Sequence, residues 1–162
     1  MSGTIWKYGD DVNTDVIFAG KYTYQPMEPK EMAEHAMEDL DPEFAGKVAS
    51  GDFVVAGLNF GCGSSREQAA TCLKAAGVKA VIARSFSRIF FRNAINLGLP
   101  VIELKEGIDE MKAGDPLDID FTKGIVHHAG RELAFPALPP EVLAILEAGG
   151  LIPFTRKRLG VD

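Results

Sequence analysis

Phe53-Val54-Val55-Ala56-Gly57-Leu58-Asn59-Phe60-Gly61-Cys62-Gly63-Ser64-Ser65-Arg66-Glu67-Gln68-Ala69-Ala70 passes from an apolar run to a glycine loop to a helix start. The run Phe53–Ala56 reads as a buried strand. Gly57, Gly61 and Gly63 let the backbone turn tightly and approach a ligand closely. A helix is expected from Ser64 or Ser65, with Ala69, Ala70, Leu73 and Ala76 on one side and Gly77 as its stop. Strand, glycine loop and helix N-terminus together form a place for an anion, because unpaired N–H groups and the positive dipole end point there. Arg66 adds a charge able to grip a carboxylate with two parallel bonds. A purely structural use of the serines stands beside this one. Ser64 with Glu67, and Ser65 with Gln68, each fit a capping box, although two adjacent serines cannot both be the N-cap. A phosphate-binding P-loop is excluded, since no Gly-Lys-Ser/Thr ending follows.

Composition narrows the classes around this stretch. With 162 residues, 46% of them hydrophobic, the chain fits one domain spanning 1–162 with a substantial core. A net charge of −6 argues against a nucleic-acid surface. No apolar run has the length of a membrane span and no signal pattern opens the chain, so the expected location is cytoplasmic. Cys62 and Cys72 are too few to hold a [4Fe–4S] cluster, and a disulfide between them is not expected in the cytosol. Cys72 reads as core, and Cys62 as either a small buried residue or a reactive thiol.

Upstream, Thr4–Tyr8 alternates as a strand. Asp10–Ile17 is acid-rich but lacks the spacing of a calcium loop and reads as a solvated turn. Gly20–Pro26 is an aperiodic loop with Tyr22 and Tyr24. Met32, Ala33, Ala36, Met37 and Leu40 recur at helical spacing, predicting a helix over Glu31–Leu40 that carries His35.

Downstream, Val78–Ala83 and Leu99–Leu104 read as buried strands around a helix from Phe86, capped by Ser85 and closed by Gly98. This alternation implies a parallel sheet. Arg84, Arg88 and Arg92 follow i, i+4, i+8 spacing and could share a side, for a partner, for solvent or, at Arg88, for the cleft. A short helix is expected within Glu106–Ala113. Leu117–Phe121, Ile125–His128 and Glu132–Phe135 are expected strands with a hairpin at Lys123-Gly124. Neighbouring His127 and His128 point to opposite faces and cannot chelate one metal together, so no metal site is expected. A last helix is expected from Pro139-Pro140 to Glu147, followed by a basic tail that is either mobile or docked on a partner.

Gly61-Cys62-Gly63-Ser64-Ser65-Arg66-Glu67-Gln68-Ala69 resembles the Gly-Ser-Ser-Arg-Glu signature of the aconitase superfamily's C-terminal swivelling domain. The chain's size resembles the free-standing form of that domain, the small subunit of the 3-isopropylmalate dehydratase and homoaconitase family. Thr14-Asp15, Ile17-Phe18-Ala19-Gly20 and Ser85–Phe90 with Asn93 and Asn96 extend the resemblance in patches from Asp10 to about Pro100. It implies an α/β fold of the swivelling β/β/α type, with a mostly parallel central sheet flanked by helices and an antiparallel C-terminal part.

The resemblance also implies a hydro-lyase of leucine biosynthesis that isomerises 2-isopropylmalate and 3-isopropylmalate through isopropylmaleate. Its [4Fe–4S] cluster belongs to a large partner subunit, in a heterodimer or heterotetramer, and acts there as Lewis acid on the leaving hydroxyl. On that pattern Ser64 is the general base and Asp15 orients active-site groups. Ser65 and Arg66 bind the carboxylate of a small dicarboxylate, and Tyr22, Thr23 and Tyr24 meet its side chain. Tricarboxylate members place an Arg nine residues after the Asp, where this chain has Tyr24. That departure argues for an alkyl-substituted malate. The alternatives are a related dimethylmalate, methylmalate/citraconate or homoaconitate dehydratase subunit, or a stand-alone anion-binding module with capping serines and a redox-sensitive Cys62.

Overall fold

The computed structural model describes residues 3–161. Four short strands, β1 (Gly3–Lys7), β2 (Phe53–Ala56), β3 (Ala80–Ala83) and β4 (Val101–Glu103), are mutually parallel. Three more, β5 (Pro116–Asp120), β6 (Ile125–His128) and β7 (Arg131–Ala134), form an antiparallel meander joined to β1 through β5. The sheet order is β4-β3-β2-β1-β5-β6-β7.

Alternation along the strands builds three layers. Val54 and Ala56 of β2, Val81 and Ala83 of β3, and Val101 of β4 face a core shared with the helices. Phe53 and Val55, Ala80 and Ile82, and Ile102 face the other way, onto Leu117, Ile119, Val126, Leu133 and Phe135. A period of two places successive side chains on opposite faces, so a fully apolar strand can fill two cores at once. The antiparallel strands thus curl over one face of the parallel sheet, and the helices cover the other. Mostly parallel, with an antiparallel C-terminal part, is the expected arrangement.

Asp52, 5% exposed, ties the start of β1 to the turn before β2. Its carboxylate accepts hydrogen bonds from Thr4 N, Thr4 Oγ1, Trp6 Nε1 and Ala49 N at 2.9–3.1 Å. His128 is buried and its Nε2 lies 2.8 Å from Asp115 Oδ2, while His127 points out of that core.

Several elements differ from the sequence expectation. The helix expected over Glu31–Leu40 is α2 (Pro29–Glu34), following the four-residue turn of helix α1 (Thr14–Ile17). It ends early because Met37 adopts φ +60° and donates its N–H to Ile17 O at 2.8 Å. Ala36 and Met37 therefore enter the core from a turn. After α3 (Phe44–Lys47), helix α4 (Glu67–Ala75) opens later than Ser64 or Ser65 and ends as expected. Gly77 N bonds Lys74 O and Val78 N bonds Leu73 O, the paired contacts of a Schellman stop.

Helix α5 (Arg88–Asn96) is capped by Ser87, whose Oγ accepts from Phe90 N, and not by Ser85. Arg84 consequently lies off that helix, ion-paired to Asp109. No helix forms within Glu106–Ala113, which folds as turns. Helix α6 (Pro140–Glu147) is as expected, but the basic tail is a further helix, α7 (Leu151–Leu159). No helix among the described residues is long and apolar enough to cross a membrane.

Candidate active site

The glycine loop leaves the C-terminal end of β2 and is held from two sides. On one side it runs beside the segment before α5. Phe60 N bonds Ser85 O, Ser87 N bonds Phe60 O, and Ser87 Oγ donates to Gly61 O at 2.8 Å. On the other side it runs beside the segment entering α1. Gly61 N bonds Val12 O at 2.7 Å, Thr14 N bonds Cys62 O at 2.9 Å, and Thr14 Oγ1 donates to Ser64 O at 2.9 Å. Gly61 permits this close packing. Its φ is +80°, and a Cβ there would fall 2.3 Å from the Phe90 side chain.

The loop delivers Ser64, Ser65 and Arg66 to the N-terminus of α4. Arg66 occupies the N-cap position without a side-chain capping bond, and the helix proper begins at Glu67. The capping boxes Ser64–Glu67 and Ser65–Gln68 are therefore not formed, and both serines are exposed. Both residues lie just before α4, whose first N–H groups form the positive end of the helix dipole.

Arg66 is the most enclosed of the three, with 16% of its side chain exposed. Its Nη1 lies 2.6 Å from Asp15 Oδ1 and donates to Phe18 O at 3.3 Å. The short helix α1 positions Asp15, and Asn13 caps that helix by accepting from Val16 N through Oδ1 at 3.1 Å. Gly20 closes the arrangement. A Cβ on it would sit 2.9 Å from Asp15 Oδ1 and 3.0 Å from Arg66 Nη2, so a side chain there would displace the ion pair. Thr14, Phe18 and Gly20 are the positioning groups that sequence reasoning did not single out. The one signal was their place inside Thr14–Gly20, of which only Asp15 was assigned a role.

Tyr22, Thr23 and Tyr24 do not share one environment. Tyr22 ends a 3-10 turn (Gly20–Tyr22), packs against Phe18 and His35, and donates to Glu38. Thr23 is half-buried, and Tyr24 is exposed. Gln68 Nε2 reaches Thr23 O at 3.5 Å and ties this loop to α4. Asp15, Ser64, Ser65 and Arg66 thus lie together, and the tyrosine loop joins them through Gly20 and Gln68.

The two cysteines differ as expected in part. Cys72 is fully buried on α4, and burial pushes its thiol far up. Cys62 is half-buried in the loop. Among the described residues no three His, Cys, Asp or Glu side chains form a metal site. A separate groove of about 520 Å3 between α5 and Phe135–Pro139 takes in Arg88 and Arg92, but none of the glycine loop.

The arrangement sets an anchored guanidinium beside two exposed serines at a helix N-terminus, groups able to receive an anion. Comparison with known proteins places the whole chain in a family. The family profile described as the aconitase C-terminal domain matches residues 4–107. A protein of Archaeoglobus fulgidus named 3-isopropylmalate dehydratase small subunit 1 is 54% identical over 95% of this chain and 96% of its own length. The 3-isopropylmalate dehydratase small subunit of Thermodesulfovibrio yellowstonii is 46% identical over 100% of this chain and 97% of its own. The crystal structure of a 3-isopropylmalate dehydratase (LeuD) from Methanocaldococcus jannaschii superposes with a TM-score of 0.91 at 45% identity, covering 98% of this chain and 94% of that one.

Proposed function

Since the chain belongs to the aconitase C-terminal domain family, we propose that it is the small subunit of a 3-isopropylmalate dehydratase, a hydro-lyase of leucine biosynthesis. The enzyme isomerises 2-isopropylmalate and 3-isopropylmalate by removing water to give isopropylmaleate and adding it back. The relatives' description as small subunits implies a heteromeric enzyme, and the partner is a large iron–sulfur subunit. One observation carries the assignment of the site. Arg66 is clamped by Asp15 and the Phe18 carbonyl beside two exposed serines that do not cap α4.

In this reading Arg66 and Ser65 take a substrate carboxylate, and Asp15 keeps the guanidinium turned toward it. Ser64 accepts the proton from the substrate carbon. A hydroxyl is a weak base unless its alkoxide is stabilised, which the α4 N-terminus and the Arg66 charge both do. The loop Tyr22–Tyr24 faces the alkyl group through the exposed ring of Tyr24, where a cation would be needed to hold a further carboxylate.

The [4Fe–4S] cluster is assigned to the large subunit, because this chain's residues do not fit it. Of its two cysteines, Cys72 is enclosed in the core, and no third ligand groups with Cys62 among the described residues. The test is to mix the purified chain with a purified, cluster-bearing large subunit and follow hydration of isopropylmaleate. Turnover by the mixture and by neither part alone is expected. Turnover by this chain alone, or none from a complex with an intact cluster, contradicts the assignment.

A further inference from the structure

The loop assigned to substrate selection contains two tyrosines in opposite situations. The ring of Tyr22 is packed inward, 5.8 Å from the ring of Phe18 and 4.2 Å from the imidazole of His35. Its hydroxyl donates to Glu38 Oε1 at 3.2 Å, and Glu38 Oε2 lies 3.4 Å from His35 Nδ1. Lys21 Nζ stands 5.1 Å from the ring centroid. Tyr24, two positions on, is 97% exposed. A ring wedged between Phe18 and His35 cannot also turn outward to a ligand.

His35 and Glu38 sit on the turn that follows α2, the same turn that buries Ala36 and Met37. Tyr22 therefore grips a part of the fold that is itself fixed in the core. The hydrogen bond to Glu38, together with burial, raises the Tyr22 hydroxyl above its ordinary range and keeps it a donor. Gln68 holds the next residue by its carbonyl, from the first turn of α4.

We propose that Tyr22 is a positioning residue for substrate selection. Wedged between Phe18 and His35 and bonded to Glu38, it fixes the turn Gly20–Tyr22 so that Tyr24 alone meets the substrate's side chain. This rests on the reading that the loop selects the substrate. Selection against an extra carboxylate requires a site that leaves that charge unpaired and poorly hydrated. A fixed ring maintains such a site, whereas a loosened loop moves aside and admits the charge with its water.

Two measurements on Tyr22→Leu, Tyr22→Phe, Glu38→Ala and Tyr24→Arg test it. Amide exchange over residues 21–25 is followed in the full chain, and kcat/KM for isopropylmalate and homocitrate in the assembled enzyme. Tyr22→Leu should speed exchange about tenfold and lower the preference for isopropylmalate about tenfold. The loss should come through KM, with kcat within about twofold of wild type. Tyr22→Phe and Glu38→Ala, which keep a ring and lose the hydroxyl's bond, should fall between, and they carry the test if Tyr22→Leu does not fold. Unchanged exchange in these variants overturns the proposal. So does faster exchange with an unchanged preference while Tyr24→Arg does shift preference toward homocitrate. If Tyr24→Arg also leaves the preference unchanged, the loop does not select the substrate, and the underlying reading fails with it.

Discussion

Replacing Gly20 by alanine separates stability of the fold from placement of Arg66. The new Cβ would stand 2.9 Å from Asp15 Oδ1 and 3.0 and 3.1 Å from the two terminal nitrogens of Arg66. Ordinary contact begins at 3.4 Å, so the ion pair must recede by 0.3–0.5 Å. The backbone itself accepts alanine, because Gly20 starts a 3-10 turn and its φ is not in the left-handed region. Alanine should gain about 0.4–1 kcal/mol by restricting the unfolded chain. Disturbing the pair should cost about 0.2–1 kcal/mol, since 64% of the Asp15 side chain is exposed and solvent screens it. The two nearly cancel, and Tm should move by less than about 2 °C. Catalysis has no such compensation. A carboxylate gripped by two parallel bonds tolerates little displacement, and KM should rise about tenfold in the assembled enzyme. Melting curves of the chain and steady-state kinetics of the complex read both quantities. An unchanged KM would mean that the Asp15–Arg66 pair does not hold the substrate. A loss of several kcal/mol would mean that the contact at Gly20 is structural.

Asp52→Ala should destabilise the chain by about 3–5 kcal/mol in urea titrations, since it strands Thr4 N, Trp6 Nε1 and Ala49 N. Burial alone would raise Asp52, but the bonds from Ala49, Trp6 and Thr4 outweigh it and hold the carboxyl below its ordinary range. A depressed carboxyl contributes stability above its unfolded pKa and loses it as pH falls through the folded one. Stability should therefore decline below about pH 4, less steeply in Asp52→Ala. Gly61→Ala meets the Phe90 side chain at 2.3 Å with φ +80°. It should cost roughly 3–5 kcal/mol, seen as a large fall in Tm.

The layered fold was legible because β2 and β3 are apolar on both faces and the helix that follows each of them ends at a glycine. Phe53–Ala56, Gly77 and Gly98 are examples. What sequence misplaced was decided by long-range pairing. Ser85 and Ser87 are equally able to cap a helix. Ser85 is taken instead by Asn59 N, at 2.8 Å from its Oγ, which leaves Ser87, placed by its N–H bond to Phe60 O, to cap the helix. Likewise α2 stops where Met37 turns to bond Ile17, a residue twenty positions earlier that local periodicity cannot sense. Helix α7 was hidden by Gly149-Gly150 and by Pro153 inside its first turn, where proline's missing N–H has no partner to lose. The motif residues Ser64, Ser65 and Arg66 were readable as a group. Their capping alternative was settled only by the start of α4 at Glu67. The groups that aim Arg66 act through a carbonyl at Phe18 and an absent side chain at Gly20, neither of which has a sequence signature.

The assignment of Ser64 as general base is tested most directly by the kcat of Ser64→Ala in the complete enzyme, with its melting temperature measured alongside. Ser64 caps no helix, so Tm should stay within about 2 °C of wild type. Loss of a general base should lower kcat on the order of 10²–10⁴-fold. Ser65→Ala, acting through carboxylate binding, should instead raise KM. A Ser64→Ala enzyme that turns over near the wild-type rate would contradict the account.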